Sequence, residues 1–209
     1  MTRFERKTYT LLVSLFMGGL TAAAFISSKI ITVFGLAVPA GVLAYSLTFA
    51  VSDAIGEIWG RERAEETVAC GFAVLIMATG LAYLSVHWPG AVFWNGQEAF
   101  AKVVGSTPRI VAASLLAYVV SQKHDVWLFH LLRDRMQGRH LWLRNNLSTM
   151  CSQFLDSVIF VTVAFYGVMP VVDIIIGQWL VKMLIAACDT PVVYAIVGGI
   201  RGRLRTATA

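Results

Sequence analysis

Charge is what this chain has least of. Only 14% of its residues are Asp, Glu, Lys or Arg, against about a quarter in ordinary soluble domains. That shortage excludes an ordinary water-facing surface, and it comes with a hydrophobic content of 57%, above the roughly 45–50% of soluble folds. Cysteine is nearly absent too: Cys70, Cys151 and Cys188 are odd in number and form no close pair in sequence. They are expected as small buried apolar residues, not as disulfides or metal ligands. Catalytic signatures are missing as well, with no His-Glu-x-x-His, no Gly-x-Ser-x-Gly and no glycine-rich phosphate loop carrying a lysine. Intramembrane metalloprotease, hydrolase and ATPase chemistry each lose their expected motif. His87, His124, His130 and His140 fall at span ends or in loops, so neither a metal nor a cofactor is expected.

What is there is a succession of apolar runs near the roughly 20 residues a helix needs to cross the hydrocarbon. The expectation is an all-α integral membrane protein, a single transmembrane domain over 1–209 with six transmembrane helices at about 9–28, 35–53, 66–86, 108–129, 147–168 and 174–198. With the N-terminus inside, the cytoplasmic segments hold Arg3, Arg6, Lys7, Arg61, Arg63, Lys123, Arg133, Arg135, Arg139, Arg144, Arg201, Arg203 and Arg205, which is 13 of the 17 basic residues. That bias predicts an N-in/C-in orientation and turns the net charge of +5 into a topology signal; no nucleic-acid partner is expected. The basic start and Ala22-Ala23-Ala24 imitate a secretory signal, but the apolar run exceeds an h-region of about 7–15 residues and further spans follow. The external stretch 87–107 carries Trp88, Phe93, Trp94 and Phe100, aromatics suited to the headgroup level. Gly56 and Gly60 make a small-xxx-small pattern that fits internal packing and a homodimer contact equally.

Polar residues written into these spans are the candidates for function. A carboxylate near the bilayer centre costs at least about 2.5 kcal/mol, so Asp156 needs a partner, a proton or a ligand. Thr149, Gln153, Asp156 and Phe160 step by three or four and share one helical face. On the fourth span, Ser114, Tyr118, Ser121, Gln122 and Asp125 are spaced in the same way. Lys182 sits inside the last span with Gln178 before it and Asp189 after it; Asp156 and Asp189 are both candidates to pair with it, and a purely structural ion pair is the alternative reading. Asp53 and Glu57 lie four apart at the cytoplasmic end of the second span, where they form either a solvated helix end beside Arg61 or a proton-holding pair.

Together these residues predict a polar cavity lined by spans two, four, five and six. Carboxylates, amides and the nearby aromatics Tyr45, Phe49, Tyr118, Phe160 and Trp179 suit a flat heterocycle: rings stack, amides read the edge, and a carboxylate accepts paired N–H groups from a guanine-like edge. A bare ion would call for a tighter oxygen cage.

A family resemblance sharpens this. Pro39-Ala40-Gly41, Leu47-Thr48-Phe49 and Asp53-x-x-x-Glu57-x-x-Gly60-Arg61, then Arg109-Ile110, Ala113-Ser114, Ser121-Gln122 and Asp125, resemble the queuosine-precursor transporters, also called vitamin uptake transporters. The run Leu141-Trp142-x-Arg144-Asn145-Asn146-x-Ser148-Thr149, with Gln153, Asp156, Phe160, Ala164-Phe165, Gly167, Lys182, Pro191 and Tyr194, extends the likeness over about 28–194. The resemblance implies a six-span inner-membrane importer of 7-deazaguanine bases such as 7-cyano-7-deazaguanine, precursors of the tRNA nucleoside queuosine. On this reading the substrate-binding candidates are Phe49, Ser114, Tyr118, Gln122, Asn146, Thr149, Gln153, Asp156, Phe160 and Lys182, with Asp53, Glu57, Asp125 and Asp189 in gating or coupling. Alternatives are a substrate-binding subunit of a multi-component importer for a vitamin-like heterocycle, a membrane enzyme using Asp156 as an acid or base, and a structural scaffold.

Overall fold

The computed structural model describes the backbone of residues 3–136 and 141–208, and side chains there except at 61, 126, 129, 130, 133, 141–146, 187–196 and 201–208. In chain order the elements are α1 (Arg3–Ile26), β1 (Ile30–Val33), β2 (Leu36–Pro39), α2 (Gly41–Trp59), α3 (Arg61–His87), α4 (Gln97–Val104), α5 (Thr107–Arg135), α6 (Leu141–Phe165) and α7 (Val171–Thr208). Among the described residues, five helices are long and apolar enough to cross a membrane. They are α1, α2, α3 from Glu62, Gln97–Asp125 running through α4 into α5, and Leu147–Phe165 of α6.

Leu12, Phe16, Leu20 and Ala24 recur every four residues along α1 and form its buried stripe, the spacing that keeps side chains on one helical face. They meet Val51 and Ile55 of α2, Leu75 of α3 and Val111 of α5 in one core cluster. Hydroxyls on the same helix are satisfied locally: Thr10, Ser14 and Thr21 donate to the carbonyls of Arg6, Thr10 and Met17 at 2.8–2.9 Å. Turning its own hydroxyls back to the backbone is how a helix carries them through lipid.

The second span was expected from residue 35, yet α2 begins at Gly41 and the preceding residues form an antiparallel hairpin. The fold is therefore helical with one two-stranded ribbon, not purely α. Phe34 and Gly35, at φ 50 and 81, make the two-residue turn with two positive φ values that hairpins favour. The flanking Ile-Ile-Thr-Val is as apolar as a helix, so hydrophobicity alone does not separate the two. Val38 is buried with Val42 of α2 and Val181 of α7, and the Ala37 backbone lies so close to Gly177 that a methyl on Gly177 would strike the Ala37 carbonyl. Glycine here lets a strand backbone press directly onto α7.

Gly60, with φ 91, joins α2 to α3 and its N–H bonds the Gly56 carbonyl at 3.0 Å. A Cβ on Gly56 would meet only Ala64, at an ordinary 3.7 Å. The Gly56/Gly60 pattern thus makes a helix end; tight helix packing does not require it. The stretch 87–107 contains α4 and an edge-on Trp94–Phe100 pair with ring centres 5.9 Å apart.

The most extensive helix–helix contact joins α5 and α6. Small residues are buried on both helices, Ala113, Ala117 and Ser121 on α5 and Ser148, Ser152 and Ser157 on α6, and Ala113 and Ala117 pack with Phe160, Val161 and Ala164 of α6. Small side chains let helix backbones approach closely where lipid offers no hydrophobic drive. Arg109, near the start of α5, donates to the Val163 carbonyl at 2.6 Å and the Tyr166 carbonyl at 2.8 Å. A fixed cation thus satisfies carbonyls that the end of α6 leaves open. Cys70 is exposed on α3, not buried as expected, and Cys151 is half-buried; the Cys188 side chain lies outside the described residues.

Candidate functional site

Asp156 of α6 and Lys182 of α7 form a salt bridge between Oδ2 and Nζ. Their side chains are 21% and 11% exposed respectively, so the two charges answer each other within the bundle, as intramembrane charges normally do. Of the two acidic candidates for Lys182, the described pairing is with Asp156; the side chain of Asp189 lies outside the described residues.

Two further helices reach this pair. Tyr45, one turn into α2, comes near the Ser114 side chain of α5 and lies within electrostatic range of Asp156. Ser114 also donates to the Ile110 carbonyl at 3.0 Å. Phe49 follows Tyr45 by one turn, with ring centres 6.2 Å apart, and is 38% exposed. Side chains from α2, α5, α6 and α7 thus meet in one layer holding an acid, a base, a phenol and a hydroxyl. Such a group can hydrogen-bond a polar heterocycle from several sides while a ring stacks on it.

The register of α6 against α7 is fixed beside this layer. Trp179 donates its indole N–H to the Met150 carbonyl at 3.3 Å and packs edge-on against Phe154 at 5.4 Å. Gln178 is buried on α7 one turn before Lys182, and its Oε1 has no partner.

A second polar layer lies about three turns along α5 from Ser114. His124 Nδ1 and Ser152 Oγ share a hydrogen bond of 2.9 Å across the α5–α6 seam. Asp125 beside it has a buried oxygen, Oδ1, without a partner. Gln153 is half-buried and its carbonyl accepts the Ser157 hydroxyl at 2.9 Å. His124 was expected at a span end; α5 runs on to Arg135 and carries it inside the helix pair.

The remaining candidates sit elsewhere. Phe160 is buried with Ile110, Ala113 and Ile174 and meets Phe165 edge-on at 5.9 Å, a position in the packed core. Tyr118 turns to α3, where its ring meets Phe72 at 4.8 Å. Thr149 and Gln122 are exposed. Asp53 and Glu57 are exposed on the last turns of α2, and each is engaged in an interaction. The side chain of Asn146 lies outside the described residues. Among the described residues no group of three or more His, Cys, Asp or Glu is arranged to hold a metal. An apolar groove of about 380 Å³, lined by Phe25, Ala78, Leu81, Ala82, Phe100 and Val104, lies between α1, α3 and α4. It is separate from the polar layers.

Two features escaped sequence reasoning: the hairpin that braces α7, and the burial of Gln178. Signals existed for both, in Phe34-Gly35 between β-branched residues and in the four-residue step from Gln178 to Lys182.

Residues 39–196 match the sequence model of a family described as "Putative vitamin uptake transporter". The chain is 33% identical over 171 residues to a "Probable queuosine precursor transporter" of Bacillus subtilis, covering 80% of this chain and 75% of that one. It is 28% identical over 149 residues to the "Queuosine precursor transporter" of Escherichia coli, covering 70% and 64% of the two chains. A Haemophilus influenzae protein named "Probable queuosine precursor transporter" is 31% identical over 127 residues, 60% of this chain and 51% of that one. No solved structure matches the chain. With its long apolar helices, this is a multi-pass inner-membrane protein, and it belongs to the vitamin uptake transporter family, whose members are transporters and not enzymes.

Proposed function

We propose that this protein imports queuosine precursors, 7-cyano-7-deazaguanine and related 7-deazaguanine bases, across the inner membrane. The observation that carries the proposal is the Asp156–Lys182 pair, set inside the bundle and faced by Tyr45 and Ser114 from two other helices. A structural ion pair alone has no need of a neighbouring phenol and hydroxyl. A guanine-like base uses all of them, with paired N–H groups for the carboxylate, a carbonyl for a donor and a π face for an aromatic ring. The names of the relatives support the same substrate class.

In this reading α7 supplies the sixth span, and the chain crosses the membrane with both termini inside. The concentration of basic residues at the start of α1, at the start of α3, at the end of α5 and start of α6, and at the end of α7 supports that orientation. Asp156 accepts the polar edge of the base, Lys182 balances the carboxylate, and Tyr45 and Phe49 offer ring contact. The layer at His124 and Asp125, with Asp53 and Glu57 beyond it, lies on the inward path and serves gating or coupling.

The test is genetic. In cells unable to synthesise 7-deazaguanine, the gene is deleted, 7-cyano-7-deazaguanine is supplied outside at low concentration, and queuosine in tRNA is measured. Loss of queuosine, restored by the gene in trans, is the expected result. Undiminished queuosine would sink the assignment.

A further inference from the structure

Gln178 is a polar group on α7 that the fold leaves unanswered. The residue is 5% exposed and its amide oxygen has no hydrogen-bond partner, a condition that costs about 1–3 kcal/mol for a buried acceptor. Trp59, Gln97 and Thr107 also carry unpartnered buried atoms at helix ends, and Thr79 of α3 and Asp125 of α5 carry them inside helices; among these, Gln178 is the one that stands a single turn from a member of the Asp156–Lys182 pair. Its surroundings are specific. Ile174, one turn before, is buried against Ile110 of α5 and Phe160 of α6, and Lys182, one turn after, reaches Asp156. The stripe through 174, 178 and 182 therefore faces the α5–α6 pair, with Gln178 between an apolar ceiling and the ion pair. Methionine would fill the same volume without stranding an acceptor, so burial alone does not account for an amide here.

We infer that Gln178 is a specificity-determining residue whose Oε1 accepts the pyrrole-type ring N–H of the bound base, at the end opposite the edge held by Asp156. The inference rests on the 7-deazaguanine reading above. If Asp156 takes the adjacent ring N–H and exocyclic amine of a guanine-like edge, the remaining ring donor is the five-membered ring's N–H. Four residues of helix rise about 6 Å, a distance comparable with the length of a bicyclic base. That same nitrogen carries the sugar in a nucleoside. A buried acceptor at this point selects the free base over any form substituted there, because the substituted ligand leaves the amide oxygen unpaired.

The experiment uses the full chain in liposomes with radiolabelled 7-cyano-7-deazaguanine, and compares competition by the unlabelled base and by its derivative methylated on the five-membered ring nitrogen. The wild type is expected to prefer the free base by tenfold or more. Gln178→Met is expected to weaken the free base roughly three- to tenfold and leave the methylated ligand unchanged, so the preference collapses. Its thermal stability is expected to be equal to or above the wild type's, since a stranded acceptor is gone. Gln178→Leu provides the same readout if the methionine variant fails to insert. A preserved preference in the variants, equal weakening of both ligands, or no preference in the wild type overturns the inference alone. No uptake of label by the wild type overturns the proposed function, and this inference with it.

Discussion

Removing one member of the Asp156–Lys182 pair separates two roles the pair can have. In Asp156→Ala the Lys182 ammonium, 11% exposed beside its lost partner, is left charged inside the bundle. Breaking a buried pair from one side costs about 3–5 kcal/mol. For a chain of 209 residues, that corresponds to a fall in melting temperature of roughly 6–20 °C at about 2–4 °C per kcal/mol. Lys182→Met strands the carboxylate and should cost a similar amount. The double variant Asp156→Ala/Lys182→Met strands neither charge, so most of the lost stability should return, since replacing a whole buried pair by apolar residues is often close to neutral. On the proposed function uptake should not return, because Asp156 is then the acceptor for the base's N–H groups and it is gone. Melting would be followed by fluorescence-detected size exclusion in detergent, and uptake of labelled 7-cyano-7-deazaguanine in liposomes on matched amounts of inserted protein. A double variant that transports like the wild type refutes a substrate role for Asp156 and leaves a structural strut. Single variants as stable as the wild type refute the energetic argument itself.

Three other outcomes follow from the packing. Gly177→Val drives a side chain into the Ala37 carbonyl and should destabilise the protein by about 1–3 kcal/mol, read as a lower melting temperature. Gly177→Ala should show a smaller loss of the same sign. Arg109→Ala removes two charged hydrogen bonds to the end of α6 and should cost about 2–4 kcal/mol; Arg109→Lys should recover only part, because one ammonium does not reproduce the guanidinium fork. Gly35→Val places a β-branched residue at φ 81 and should lower stability by about 1–2 kcal/mol while raising proteolysis at the hairpin turn.

The helices were legible because a run of about 20 apolar residues has few other fates. Their ends were less so. α3 continues back through the charged residues 61–66 and α5 on to Arg135, since a helix keeps hydrogen-bonding after it leaves the apolar layer. Asp156 and Lys182 were legible from energetics, as each is too costly to stand alone. The fourth span shows what periodicity does not give. At about 100° per residue, Ser121 and Asp125 fall within about 20° of Ser114, whereas Gln122 is about 80° away, and the structure leaves it exposed. Tyr118, about 40° away, turns to Phe72 on α3. Spacing tells which residues share a face; only tertiary packing tells what that face meets. Phe160 illustrates the same limit, sharing the Asp156 stripe yet meeting Phe165 in the core.

The joints of the α5–α6 pair have a mechanical consequence. Arg109 ties the beginning of one helix to the end of the other, and His124 pins them again to Ser152 about four turns away. Two anchors that far apart remove rotation as well as sliding, so the pair behaves as one beam. Among the described residues, the link from this beam to α7 is of another kind: Gly167 at φ 81 in the connecting turn, the apolar contacts of Ile174, a salt bridge and an indole bond. A carrier that exposes its site alternately to the two sides would rock on that softer joint. Its stroke would then open and close the contact that holds Asp156 against Lys182.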